Sequence, residues 1–313
     1  MDAFMRRVVS GRALRFCASI ALAALCLGGL ARPAAAQYYW ATTGTGLWSS
    51  TANWSLNATS GGTPGTVPIT NGTAFFSQST QNGDTVVELT ASGTVRSLRF
   101  LNTGPTLLRA SASGTQSLLV LANQDQRSMA VEAGAGAVTF GDATNALQVT
   151  FRDQGSSFKF SQHSDNLVRF RNGVTLLSTL ELSGTGTGGV WIDGGLTGGQ
   201  GVSKSDLGTL TLTGSNGVAG LTISSGTLLL THGSQLGAST YQYGQPEYGS
   251  GLSNSGAVIF SGSAGSPNQV FTAAMSGAGS LTWARPSMLT LLGANTQTGT
   301  TTIATGTMPT AVR

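Results

Sequence analysis

From residue 84 onward the chain is built of short alternations. Thr85 to Leu89, Ala137 to Phe140, Leu147 to Phe151, Leu167 to Phe170 and Val190 to Ile192 place apolar residues at alternate positions, with Thr, Gln, Glu, Arg or Trp among the others. Period two sends successive side chains to opposite faces of a strand, one face buried and one wet. Val95 to Leu101, Ser117 to Leu121 and Val174 to Leu182 read as further strands. Gly, Asn, Asp and Ser punctuate these runs, as turn residues do. No helical periodicity follows the first 36 residues. Strands of about five residues are too short to bury a core alone.

The pattern then echoes itself. Leu210, Leu212, Gly214, Asn216 and Gly220 recur as Leu289, Leu291, Gly293, Asn295 and Gly299, at a constant offset of 79. One extra residue later, Gly226, Thr227 and Leu228 meet Gly306, Thr307 and Met308. Stacked strand–turn units give every backbone group a partner above and below. The expected fold is therefore all-β, a right-handed parallel β-helix, with an antiparallel β-sandwich as the alternative that such short strands also suit. At ~4.8 Å per stacked turn and roughly twenty residues per turn, the chain after residue 36 predicts a rod on the order of 65 Å long.

The run from Leu210 to Asn216, followed by Gly220 to Leu228, resembles the autotransporter-associated β-strand repeat of bacterial surface proteins. Met275 to Trp283, leading into Leu289 to Asn295, resembles that family's lead-in to a repeat. His232 to Gly237 and Leu252 to Phe260 are similar to its linker and next strand, while Arg285 and Pro286 depart from the small polar residues usual there. Upstream, Trp48 to Trp54 and Val95 to Phe100 resemble the portion that often precedes the repeats. The resemblance implies an exported passenger, secreted or on the bacterial cell surface or outer membrane, with a structural or adhesive role and no catalytic step. On this reading residues 1–36 are a signal peptide and 37–189 an N-terminal β-rich part with an aromatic cap. Residues 190–313 hold the repeats, expected to be truncated before an outer-membrane barrel of roughly ten-residue strands. The alternatives are a β-helical polysaccharide-degrading enzyme and a non-catalytic carbohydrate-binding protein.

Composition changes the picture chiefly through the leader. Arg6, Arg7, Arg12 and Arg15 precede an apolar run at 18–27, and Ala34, Ala35 and Ala36 form a small-residue cleavage site before Gln37. The apolar run is short for a permanent span, so no transmembrane segment is expected in the mature chain. The whole chain carries 16 basic and 12 acidic residues; residues 1–36 hold five Arg and one Asp, which leaves 11 of each sign. The mature charge is zero, and nucleic acid drops out as a partner. Cys17 and Cys26 both lie in the leader, so the mature chain has neither thiol nor disulfide. With 45 Gly, 9% charged and 40% hydrophobic residues, the composition suits turn-rich strands with uncharged polar outer faces.

Chemistry is sparse. A β-helical glycosidase needs acids gathered on one face; Asp142, Asp153 and Asp165 are the first to test, although each sits beside turn residues. His163 and His232 are in no metal-binding spacing, and Gly194 to Gly201 lacks the ending of a phosphate loop. No catalytic residue, metal site or cofactor is expected. Ligand contact falls to Trp48 and Trp54, which suit sugar stacking or a packed cap, and to Tyr241, Tyr243 and Tyr248 in an aromatic loop. The expected partners are glycans or host and neighbouring cell surfaces, together with outer-membrane export machinery.

Overall fold

The computed structural model describes residues 36–304 apart from 59–66, 69–71, 78–82, 113, 124–127, 156, 232–234, 237–246, 249–250, 264 and 267, and gives the backbone alone at 235, 247 and 248. The chain winds as a parallel β-helix with three faces. Among the described residues the first face holds twelve strands, from Trp54–Ser55 and Ala36–Trp40 to Thr296–Gln297, and the second holds eleven, from Gly44–Leu47 to Thr301–Ile303. The third face begins as five continuous strands between Gly93–Val95 and Leu196–Thr197. It continues in pieces, Ser215–Asn216 with Gln235–Leu236, then Glu247–Tyr248, Gln269–Phe271 and Leu289–Leu291. All described ladders are parallel except Trp54–Ser55 on Ala36–Trp40, which rules out the sandwich.

Alternation makes this coil. On the second face the inward column runs Leu108, Phe140, Phe170, Ile192, Leu212, Leu230, Phe260 and Trp283 in direct register. All eight are at most 1% exposed. Burying such a side chain contributes about 1.5–3 kcal/mol. Some rings in register stack, Phe140 on Phe170 at 4.6 Å and 7° and Phe76 on Phe100 at 4.9 Å and 7°, while Phe260 meets Trp283 tilted at 42°. The strand expected at Thr85–Leu89 forms with those bounds. Two expected strands are each divided by a corner. Val174–Leu176 and Leu180–Ser183 lie on different faces, with Leu177 turned outward at 49% exposure between them. Val95 likewise ends one strand and Ser97 begins the next. An apolar residue on the outside of a corner continues the pattern of hydrophobicity while the chain changes direction.

Turn length is irregular. Leu212 to Leu230 advances one turn in 18 residues, whereas Leu108 to Phe140 takes 32. Eleven stacked strands at ~4.8 Å give the described coil a length of about 48 Å, shorter than a uniform twenty-residue turn predicts. The 79-residue echo does not follow the coil. Thr209–Leu212 lies on the second face but its counterpart Leu289–Leu291 lies on the third, so the period is three turns and part of a fourth. What repeats is a corner. Asn216 Oδ1 accepts the N–H of Leu196 at 3.0 Å, and Asn295 Oδ1 accepts that of Met275 at 2.8 Å, each 20 residues back. The same side-chain chemistry serves two different corners.

Candidate functional site

The aromatic cluster lies at the start of the coil. Trp54 folds back antiparallel to Trp40, and Trp48 and Trp40 meet the Trp54 ring edge-on at 4.9 and 5.0 Å. Trp54 Nε1 donates to the Trp48 carbonyl at 2.8 Å. Trp54 is fully buried and Trp48 is 5% exposed, so neither indole presents a stacking face to a sugar. The edge of Trp48 alone borders a groove, shared with Ser49, Pro68, Thr90 and Thr94. Tyr241, Tyr243 and His232 lie outside the described residues. The backbone of Tyr248 pairs with Phe271 on the third face.

The three acids do not converge. Asp142 follows a second-face strand, Asp153 ends a third-face strand, and Asp165 sits in the corner after a first-face strand. Each is already engaged, within its own corner or by a neighbouring turn. Asp142 pairs with Arg109 at 3.0 Å and accepts the N–H groups of Asn145 and Thr144 at 2.7 and 2.9 Å. Burial opposes the Asp142 charge, but these bonds outweigh it and hold the carboxyl below the usual range. Asp153 Oδ1 accepts from Gly155 N–H at 2.9 Å, and Asp165 Oδ1 accepts from the N–H and hydroxyl of Thr187, which lower its pKa. His163 Nδ1 is 3.1 Å from Thr185 Oγ1, across one turn. Among the described residues no group of three His, Cys, Asp or Glu could hold a metal ion, and no helix is long and apolar enough to cross a membrane.

Two features escaped the sequence. Lys204 points into the coil and is 1% exposed; its Nζ meets Asp206 Oδ1 and donates to the carbonyls of Asp206 at 3.0 Å and Ser225 at 3.3 Å. Gly226 holds φ at +66°, and a Cβ there would collide with Lys204 Nζ and the carbonyls of Gly208 and Asp206. Lys204 shares the parity of Val202, which is the signal that could have found it.

The second feature is a groove of about 250 Å³ on the outside of the second face. Val86 and Leu107 are register partners pointing outward, and with Pro105 they supply its apolar part. Asp84 lines it ahead of strand Thr85–Leu89, Thr139 lies in the next turn, and Arg171 lines it just after strand Val168–Phe170. Arg109 bridges Glu88 at 2.8 Å and Asp142 at 3.0 Å beside it. Farther along the same face Arg169 pairs with Asp193 at 2.7 Å and covers the Trp191 ring at 4.3 Å. Comparison with protein-family models, with curated proteins and with solved structures finds no match to this chain.

Proposed function

We propose that this chain is an exported passenger of the autotransporter-associated repeat type, secreted or held at the cell surface, where the coil acts as a stiff spacer and adhesive surface. The observation that carries the reading is a long parallel coil in which Asp142, Asp153 and Asp165, the acids the sequence offers for catalysis, sit on three different corners and are each already hydrogen-bonded. A glycosidase requires two carboxyls facing one substrate bond; of the two that line one groove, Asp84 and Asp142, the second is already held by Arg109, Thr144 and Asn145. The outward positions offer instead a repeated polar surface, such as the register series Ser203, Thr222, Ser253, Ser276 and Thr296 on the first face. Many weak contacts along such a surface add through avidity. The leader pattern and the resemblance in residues 190–308 supply the export half of the reading.

The test is expression in a Gram-negative host with a C-terminal tag. The expected product begins at Gln37, is found outside the inner membrane, and makes beads coated with it adhere to cells. Retention in the cytoplasm with residues 1–36 intact defeats the export reading. Release of reducing ends from plant or bacterial polysaccharides, lost in Asp142→Asn or Asp153→Asn, defeats the non-catalytic one.

A further inference from the structure

We propose that the second-face groove floored by Val86 and Leu107 binds a neutral pyranose unit of a glycan, with Asp84 and Arg171 as its polar anchors. The proposal gives the adhesive reading a ligand class and a place, and rests on that reading for its setting.

A pyranose ring has an apolar C–H side and a rim of hydroxyls, each both donor and acceptor. The groove matches both parts. Val86, Leu107 and Pro105 form a patch without polar side-chain atoms, and Val86 and Leu107 remain partly exposed. At the rim stand an acceptor, the Asp84 carboxylate, a fork of donors, the Arg171 guanidinium, and the Thr139 hydroxyl, which serves as either. Asp84 and Arg171 are both exposed, and neither side chain has a hydrogen-bond or ion-pair partner among the described residues. Asp142 also lines the groove, but Arg109, Thr144 and Asn145 already occupy it. The free groups are thus one anion and one cation.

Charge selects between sugars. Glu88 and Asp142 share the single cation Arg109, so the five charged groups around the groove sum to one negative charge. That field favours a neutral ring over a uronate or sialate, whose carboxylate Arg171 alone would have to offset. Size selects too. About 250 Å³ lies below the ~300–1,000 Å³ of sites for drug-sized ligands, and suits one ring rather than an enclosed oligosaccharide. An aliphatic floor lacks the stacking gain of an aromatic one, so a single site is weak and works through many copies on a surface.

Saturation-transfer NMR on the purified protein tests this, with methyl hexopyranosides (gluco, galacto and manno) and methyl glucuronide as probes. The expected result is a signal from at least one neutral glycoside and a weaker one from the glucuronide. Arg171→Gln, Asp84→Asn and Leu107→Asn each cut the neutral signal at least fivefold, while thermal midpoints stay within a few degrees. Thr222→Val on the first face leaves it unchanged. The proposal is overturned if no neutral glycoside gives a signal, if the glucuronide binds better, or if the signal survives both Arg171→Gln and Asp84→Asn. Loss of groove binding with bead adhesion intact removes this site and leaves the surface reading. Groove binding in a protein that is never exported does the reverse.

Discussion

Up to Leu182 one inward column of the first face holds only apolar side chains; beyond it the same column admits a cation and an amide. On the first face Leu98, Met129, Phe160 and Leu182 are followed in register by Lys204, Ile223 and Asn254, all buried. The outside changes in the opposite sense. The earlier turns carry Arg99 with Glu132, Arg109 with Glu88 and Asp142, and Arg169 with Asp193. After Asp206 the sequence has only Glu247, Arg285 and Arg313 as charged residues. The tighter turns, 20 residues from Ile192 to Leu212 and 18 from there to Leu230, leave short corners. In these later turns the interior polar groups bond to main chain: Lys204 to two carbonyls, and Asn254, in the 30-residue turn from Leu230 to Phe260, through Nδ2 to the Ser280 carbonyl at 2.9 Å. Buried side chains bond to the backbone in both regions, as Asn102 does to Gly104 and Gln162 to Asn166 in the first; the second differs in enclosing an ion pair, Lys204 with Asp206, and in carrying few charges outside.

The largest expected effect comes from deletions that respect or ignore the coil. Removing residues 193–212 takes out one turn between the register partners Ile192 and Leu212 and rejoins the second face in phase. That protein should fold and melt within a few degrees of the parent. Removing residues 210–288, one sequence period of 79, would join a second-face segment to a third-face strand. Its expected outcome is loss of cooperative unfolding by circular dichroism; a cooperative transition would mean the echo does mark whole turns.

Breaking the buried ion pair comes next. Asp206→Ala leaves Lys204 buried without its carboxylate and should cost about 3–5 kcal/mol, whereas Lys204→Met with Asp206→Leu should be close to neutral. Denaturant titration of the two variants compares them directly. If the single variant is as stable as the double, the pair does not organise that corner.

A smaller contrast separates the two echoing asparagines. Asn216 is fully buried, so Asn216→Ala leaves the Leu196 N–H without its acceptor at about 1–3 kcal/mol. Asn295 is exposed, water replaces it, and Asn295→Ala should cost a few tenths of that, about 0.5 kcal/mol. Equal losses would show that burial does not set the difference.

The smallest effect is in pH. Asp142 has a folded pKa below its unfolded value of about 3.9, so its contribution is present above pH ~4 and lost as pH falls below that. Melting midpoints measured from pH 6 to pH 2.5 should fall less steeply in Asp142→Asn than in the parent. Parallel curves would show that the Arg109 bridge contributes no acid-sensitive stability.

Much of the fold was legible because inward positions of a coil follow strict parity. Leu147 to Phe151 and Val190 to Ile192 are read off by it and lie inside strands Asn145–Asp153 and Val190–Ile192. Corners were not legible, since Leu177 on the outside of one carries no mark of a change in direction. The echo misled about phase because Asn216 and Asn295 are selected by a corner's need for an acceptor, whichever face follows. The groove was invisible for another reason. Asp84, Leu107 and Arg171 are brought together only by turn lengths of 21, 32 and 30 residues, which no local pattern fixes.

Among the described residues no ladder joins Gln235–Leu236 to Gln269–Phe271 on the third face, yet Gln269 links them, with Oε1 accepting the Leu236 N–H at 3.0 Å and Nε2 donating to the Leu236 carbonyl at 3.1 Å. One amide side chain thus imitates a strand's pair of backbone bonds. The turns that carry Leu236 and Gln269 are thereby tied on this face by a single side chain, so Gln269→Ala would cut both bonds at once.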